Sequence, residues 1–276
     1  MVAITHHEHQ LSLARSVGRS PLLVQRAAPT QRPYIHPLLA PDEQGVLTED
    51  VPPHHPWQHG LYIGYNDVNG FGFWTEGLRG SANDGTFHPR PLLPPNITGD
   101  QVHWSVETEL RAPNSTTLLI EQQRWSFQDK DDCYLLQLDL ELRAQTHLTF
   151  GRYDYGGLFL RMPFRPSVGG EAINSEGQVN GAAEQQRARW VAVSMPLIDR
   201  SEEWAGVAML DHPTNQHHPT VWRVDNQLGI GPSPSSSGSW QLQQGESILF
   251  RYGLFVFCGR TESERIEEAW QRYTSS

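Results

Sequence analysis

Apolar and polar residues alternate along much of the chain. Residues 134–142 read YLLQLDLEL, with Leu136, Leu138, Leu140 and Leu142 on one face and Gln137, Asp139 and Glu141 on the other. That period of two marks a half-buried strand. Residues 117–127 (TLLIEQQRWSF) look like its antiparallel neighbour, and Asp129-Lys130-Asp131-Asp132 supplies the turn. Short apolar or alternating runs bounded by turn residues recur at 61–65, 102–110, 148–153, 158–162, 190–194, 206–210, 220–224 and 247–257. Only the C-terminus predicts a helix. Thr261-Glu262-Ser263-Glu264 has the form of a capping box, and Ile266, Trp270 and Tyr273 follow at helical spacing, so they should dock on the sheets. GPSPSSSGS (231–239) predicts a long surface loop. Residues 1–25 are expected to be partly irregular. The fold class that follows is all-β: a large antiparallel β-sandwich with one C-terminal helix, as a single domain over 1–276.

Composition narrows the function. The chain has 276 residues, 37% of them hydrophobic, which is enough for a sizeable core. Its net charge is −10 with only 21 Lys and Arg. That balance excludes the basic stripe that nucleic acids and anionic membrane surfaces require. No apolar run approaches the roughly 18 residues of a membrane span. The N-terminus lacks a basic segment followed by an apolar run, so the expected location is cytoplasmic. Cys133 and Cys258 are read as free thiols. The oligomeric state is not legible.

Candidate chemistry gathers in four stretches. The first, residues 46–76, holds His54-His55-Pro56-Trp57-Gln58-His59 and interleaves Glu49, Asp67 and Asn69 with Trp57, Tyr62, Tyr65 and Trp74. Sugar sites use this mixture: aromatic faces stack on pyranose C–H groups, while carboxylates, amides and imidazoles bind hydroxyls. An aromatic core strand between two turns is the plain alternative. Pro52, Pro53 and Pro56 rule out a helix that would put His55 and His59 on one face, and an extended segment separates them by roughly 13 Å. A turn at 56–58 would still leave room for a divalent metal, with Glu49 or Asp67 completing its shell. No cofactor is required. The second stretch, 211–222 (DHPTNQHHPTVW), repeats the vocabulary with His212, His218 and Trp222. The third, 152–163, sets Tyr155 before two glycines and Arg161 in an apolar strand. The fourth, 250–259, opens with Arg251.

In order, EDVPPHHPWQHGLYIGYNDVNGFGFW, YGGLFLRMP, DHPTNQHHPTVW and RYGLFVFCG resemble the segments of the PmoA-like family of bacterial proteins of unknown function, often labelled "methane oxygenase PmoA". The resemblance covers roughly residues 30–273. It implies a galactose-mutarotase-like supersandwich and a setting in carbohydrate catabolism, not a membrane oxygenase. Relatives often carry a middle histidine where this chain has Trp57-Gln58, which moves weight to His55 and His59.

The leading expectation is an enzyme acting on a glycoside or oxidised (3-keto) sugar, a lyase or hydrolase, with a small carbohydrate as partner. His59 or His218 would be the acid or base and His55 a further catalytic imidazole. Asp67 and Asn69 would bind hydroxyls, and Arg161 would stabilise enolate charge. Trp74 or Trp222 would be the stacking platform. Glu49, Tyr155, His212 and Arg251 would add substrate contacts. Glu49 with Asp67 would serve a two-carboxylate hydrolase. The alternatives are an epimerase, a non-catalytic carbohydrate-binding protein and a metal-dependent oxygenase with a two-histidine, one-carboxylate site.

Overall fold

The computed structural model describes residues 2–198, 200 and 204–275. Among them, two antiparallel sheets of 11 and 9 strands face each other. The first sheet runs Ala3–His7, Gln10–Ala14, Leu23–Arg26, Tyr34–Leu38, Leu61–Val68, Gly157–Leu160, Ile230–Pro232 and Trp222–Val224, with Phe71–Phe73, Leu148–Phe150 and Trp240–Leu242 off this path. The second runs Glu171–Asn174, Trp190–Pro196, Trp204–Asp211, Ser247–Cys258, Cys133–Ala144, Thr117–Asp129, Gln101–Arg111 and Thr86–Pro89, and Asn96–Thr98 pairs beside Gln101–Arg111.

The alternation at 134–142 does what its period demands. Leu136, Leu138, Leu140 and Leu142 are buried in the core between the sheets, while Gln137, Asp139 and Glu141 are half-buried on the outer face. Strand Thr117–Asp129 pairs with it as expected, Phe127 opposite Leu136. The core also holds a polar chain. Tyr65 donates to the Glu121 carboxyl at 2.7 Å, Gln123 donates to its other oxygen at 2.7 Å, and Trp125 donates to Gln123 at 3.0 Å. Burial pushes the Glu121 carboxyl upward.

Helix Ser263–Thr274 covers the outer face of the second sheet. Ile266, Ala269 and Tyr273 are buried against Trp190, Leu210, Phe255 and Phe257, and Trp270 donates its indole N–H to the Asp211 carbonyl at 2.8 Å. The expected capping box is not formed. Glu262 is the N-cap without a side-chain bond, and the Thr261 hydroxyl donates instead to Ser194 at 3.1 Å. Residues 3–26 carry three strands, Ala3–His7, Gln10–Ala14 and Leu23–Arg26, with 15–22 outside them. One further expectation is corrected. The 231–239 stretch is not a surface loop at its start: Gly231 and Pro232 belong to a buried strand and Pro234 opens a single 3-10 turn.

Two neighbouring strands of the first sheet form the floor of the candidate site. Leu61 lies opposite Leu160 and Ile63 opposite Leu158, all facing the core. Tyr62 opposite Phe159 therefore faces outward, where Trp57 and Trp74 complete a separate aromatic cluster.

Candidate active site

Arg32 anchors this outer face. Its side chain is 1% exposed and its guanidinium lies 4.2 Å from the Tyr62 ring centroid. It donates to the Trp74 carbonyl at 3.0 Å and also to the Trp57 carbonyl. One side chain thus fixes both tryptophan backbones. The space it needs is supplied by Gly64, where a Cβ would meet Arg32 Nη1 at 2.7 Å and Trp74 Cε3 at 3.0 Å.

His59 sits beside this anchor. Its Nδ1–H donates to Asp50 at 2.7 Å, its Nε2–H donates to Glu76 at 3.0 Å, and its ring stacks on Tyr34 at 4.7 Å. Burial lowers its pKa most strongly, but the hydrogen bonds to Asp50 and Glu76 together outweigh that and leave it raised. Burial likewise raises the Glu76 carboxyl, and Arg32 and His59 more than reverse it, leaving it lowered. Asp50 is lowered in the same way, its burial outweighed mainly by His59. Both His59 nitrogens are taken, so neither is free to accept a proton from a ligand.

Above the floor lies a cavity of about 210 Å³. Trp57, Trp74, Tyr153, Tyr155 and Phe159 form its walls, and His55, Gln58, Asn66, Thr75, Arg79, Arg223, Asp225 and Asn226 supply its polar lining. Trp57 Nε1 and His55 Nδ1 are buried without a hydrogen-bond partner among the described residues. Burial lowers the His55 pKa, helped by Arg161 and His54, so its imidazole is neutral at neutral pH. Burial, reinforced by Tyr153, pushes the Tyr155 phenol up to about 12, so it stays a donor. Arg161, 1% exposed, lies beneath: it donates to Asp225 at 2.7 Å and to Gln58 at 2.6 Å. Asp225 also accepts the backbone N–H groups of Gln227 and Gly229, at 2.9 and 2.8 Å.

The structure therefore brings together His55, Trp74 and Tyr155, with Arg161 below them. The other expected residues lie elsewhere. Glu49 pairs with Arg165 at 2.5 Å in a neighbouring groove that includes His54. Asp67 accepts the Gly70 N–H at 2.8 Å, and Asn69 bonds His147 and Thr149; both hold a turn. Trp222 is fully buried and donates to the Ala188 carbonyl at 2.8 Å, so it is a core residue rather than a platform. His218 donates to the buried Asp211 at 2.7 Å and lies against Trp270 under the C-terminal helix. His212, which accepts from Thr214, and Arg251, which pairs with Asp139 at 3.4 Å, belong to that same corner. Arg32, Gln58, Arg79, Arg223 and Asp225 were not singled out by the sequence. Only Gln58 sat in a suspect stretch, and nothing in the pattern marks the rest.

A broader depression of about 510 Å³ lies on the outer face of the second sheet. Its polar groups satisfy one another or neighbours: Arg124 with Glu141 at 2.7 Å, Asp139 with Arg251 at 3.4 Å, Ser126 with Gln137 at 3.5 Å. That is the solvated side of alternating strands. Among the described residues, no three His, Cys, Asp or Glu side chains converge as metal ligands, and no helix is long and apolar enough to cross a membrane.

Fold and site together define an all-β sandwich protein with an aromatic-walled pocket on the outer face of one sheet. The chain belongs to the family of unknown function DUF6807, matched over residues 21–271. This corrects the resemblance to PmoA-like proteins: the family whose model matches is DUF6807. A comparison with curated proteins finds no match. Among solved structures, the chain is similar to a galactose mutarotase related enzyme from Lactobacillus acidophilus, at 11% identity and TM-score 0.38, covering 95% of this chain and 99% of that one. It is also similar to a GH36 alpha-galactosidase from Geobacillus stearothermophilus in complex with stachyose, at 12% identity and TM-score 0.39, covering 95% and 41%. A third is an alpha-galactosidase from Lactobacillus brevis, at 13% and 0.34, covering 92% and 39%. This chain thus spans well under half of either galactosidase. Likenesses this faint say nothing about chemistry.

Proposed function

We propose that the protein binds a single sugar ring in this pocket and acts on it by proton transfer, with His55 as the acid–base group. The observation that supports this most is an unpartnered, neutral imidazole within aromatic walls. Stacking on Trp57, Trp74 and Tyr155 fits the C–H faces of a pyranose. A cavity of about 210 Å³ suits one ring, being smaller than the roughly 300 Å³ at which ordinary ligand pockets begin.

The chemistry that fits is elimination from a keto sugar. A carbonyl acidifies the C–H beside it. His55 takes that proton, the bonding pair moves into the carbonyl as an enolate, and the Tyr155 phenol donates a hydrogen bond to the enolate oxygen. Collapse of the enolate then re-forms the carbonyl, makes a carbon–carbon double bond and breaks the C–O bond at the next carbon, and the departing oxygen takes the proton held by the His55 imidazolium. A two-carboxylate hydrolase has less support. Among the described residues Asp225 is the one carboxylate in the lining, and Arg161 and two amides already occupy it. The second reading is a carbohydrate-binding protein, favoured by the same shortage of carboxylates.

Proton NMR with glycosides and their 3-keto derivatives tests this. New sugar signals with wild type and none with a folded His55→Ala support the enzyme. Ligand line broadening without product in either protein supports the binding reading. Neither signal would remove the sugar from the pocket.

A further inference from the structure

We infer that the sugar recognised here carries one negative charge, held by Arg79; this rests on the carbohydrate reading of the same pocket. Arg79, Arg161, Arg223 and Arg32 line or underlie the cavity, and all but Arg79 are neutralised. Arg161 pairs with Asp225 at 2.7 Å, and Arg223 pairs with Glu184. Arg79 has no carboxylate within ion-pair distance among the described residues; its guanidinium rests 4.4 Å from the Trp57 ring centroid. Nearby Glu76, the acidic residue of the same loop, is already shared between His59 and Arg32. The mouth of the pocket therefore has one uncompensated positive charge, in a chain whose net charge is −10.

A second observation points to a ligand at the same place. Trp57 is only 7% exposed, lines the cavity, and its indole N–H is a buried donor without a partner. Buried donors are ordinarily satisfied. A ring lying on the aromatic walls would bring an acceptor oxygen to Trp57 Nε1 and an anionic substituent to Arg79. The flat guanidinium fork matches a carboxylate in two parallel hydrogen bonds, and stacking on Trp57 holds the fork in plane. A uronic acid has that shape and one charge. Sulfate or phosphate esters share the anionic chemistry but differ in geometry and, for phosphate, in charge.

Saturation-transfer NMR and calorimetry on the full chain test this, using glucuronate and galacturonate beside glucose, galactose, glucose 6-sulfate and glucose 6-phosphate. The uronates should bind about tenfold or more tightly than the neutral sugars. Arg79 is exposed, so Arg79→Gln should fold normally and erase that preference, bringing the uronates down to the affinity of the neutral sugars in the same variant. The preference should also shrink as salt rises. Equal binding of neutral and acidic sugars, or a preference that survives Arg79→Gln, overturns the charge assignment but leaves the carbohydrate reading standing. A stronger preference for either ester, lost in Arg79→Gln, keeps the anion and replaces the carboxylate. If no sugar binds at all, both readings fall together.

Discussion

Replacing His59 by glutamine tests whether this histidine is a charged clamp rather than a catalytic base. Its two nitrogens bridge Asp50 and Glu76, and the three side chains are 14%, 25% and 14% exposed. Glutamine keeps a hydrogen-bonding group but carries no charge. Breaking a buried ion pair from one side costs about 3 kcal/mol at the lower end. A domain of this size loses roughly 2–4 °C of Tm per kcal/mol, so the variant should melt roughly 6–12 °C below wild type near pH 6. The pH dependence carries the sharper test. The raised His59 pKa contributes stability that is fully present below the ordinary 6.5 and lost as pH climbs through the folded value. The lowered Asp50 and Glu76 contribute stability present above their ordinary 3.8 and 4.5 and lost as pH falls through their folded values. All three contributions coexist between about pH 4.5 and 6.5. Thermal denaturation from pH 5 to 9 should therefore show the Tm gap widest near pH 6 and closing toward pH 9. A histidine held low by burial away from the clamp, such as His212, slopes the other way but is common to both proteins and cancels in the difference. A gap that is constant with pH, or absent, refutes the charged clamp.

Four other outcomes follow from the same geometry. Gly64→Ala should cost about 1–3 kcal/mol in chemical denaturation, because its Cβ displaces Arg32 or Trp74. Arg161→Met should cost about 3 kcal/mol by stranding Asp225 and Gln58. Adding Asp225→Asn should recover part of that loss, and simple additivity in the double-variant cycle would contradict the pairing. If turnover is found, kcat/KM should rise with pH along an acid limb centred below 6.5, as the lowered His55 pKa requires, and a limb above 6.5 would exclude His55 as the base. Tyr155→Phe should lower kcat while the pocket still binds sugar; unchanged kcat would remove the phenol from the chemistry.

The sequence made the sandwich legible where one face of a strand meets the core. The leucines of 134–142 show this, because a period of two leaves no other arrangement. The terminal helix was legible from Ile266, Trp270 and Tyr273, although its start was not, since Thr261 bonds to Ser194 from another strand. The early strands Ala3–His7, Gln10–Ala14 and Leu23–Arg26 were not singled out. The pocket was half legible. His55, Trp74 and Tyr155 lie in stretches dense in aromatic and polar groups, which density alone reveals. His59 lies in the same stretch but outside the pocket lining, because it is held by Asp50 and Glu76, whose positions only the fold fixes. Trp222 and His218 show the converse: a polar neighbourhood in sequence became a core position and a corner under the helix. Arg32, Arg79 and Asp225 gave no signal, since a buried or unpaired charge is defined by partners the chain brings from far away.

Arg32 has a kinetic consequence. By gripping the carbonyls of both Trp57 and Trp74, it makes the two walls a single prebuilt unit. Association then spends nothing on ordering those walls, and encounter should be set by diffusion and by access past the rim rather than by rearrangement. The same grip separates tolerance from constraint. Residues at the rim, such as Arg79 and Tyr153, can change which sugar is admitted without moving the platform beneath them, whereas a change at Arg32 or Gly64 alters the platform for every ligand at once.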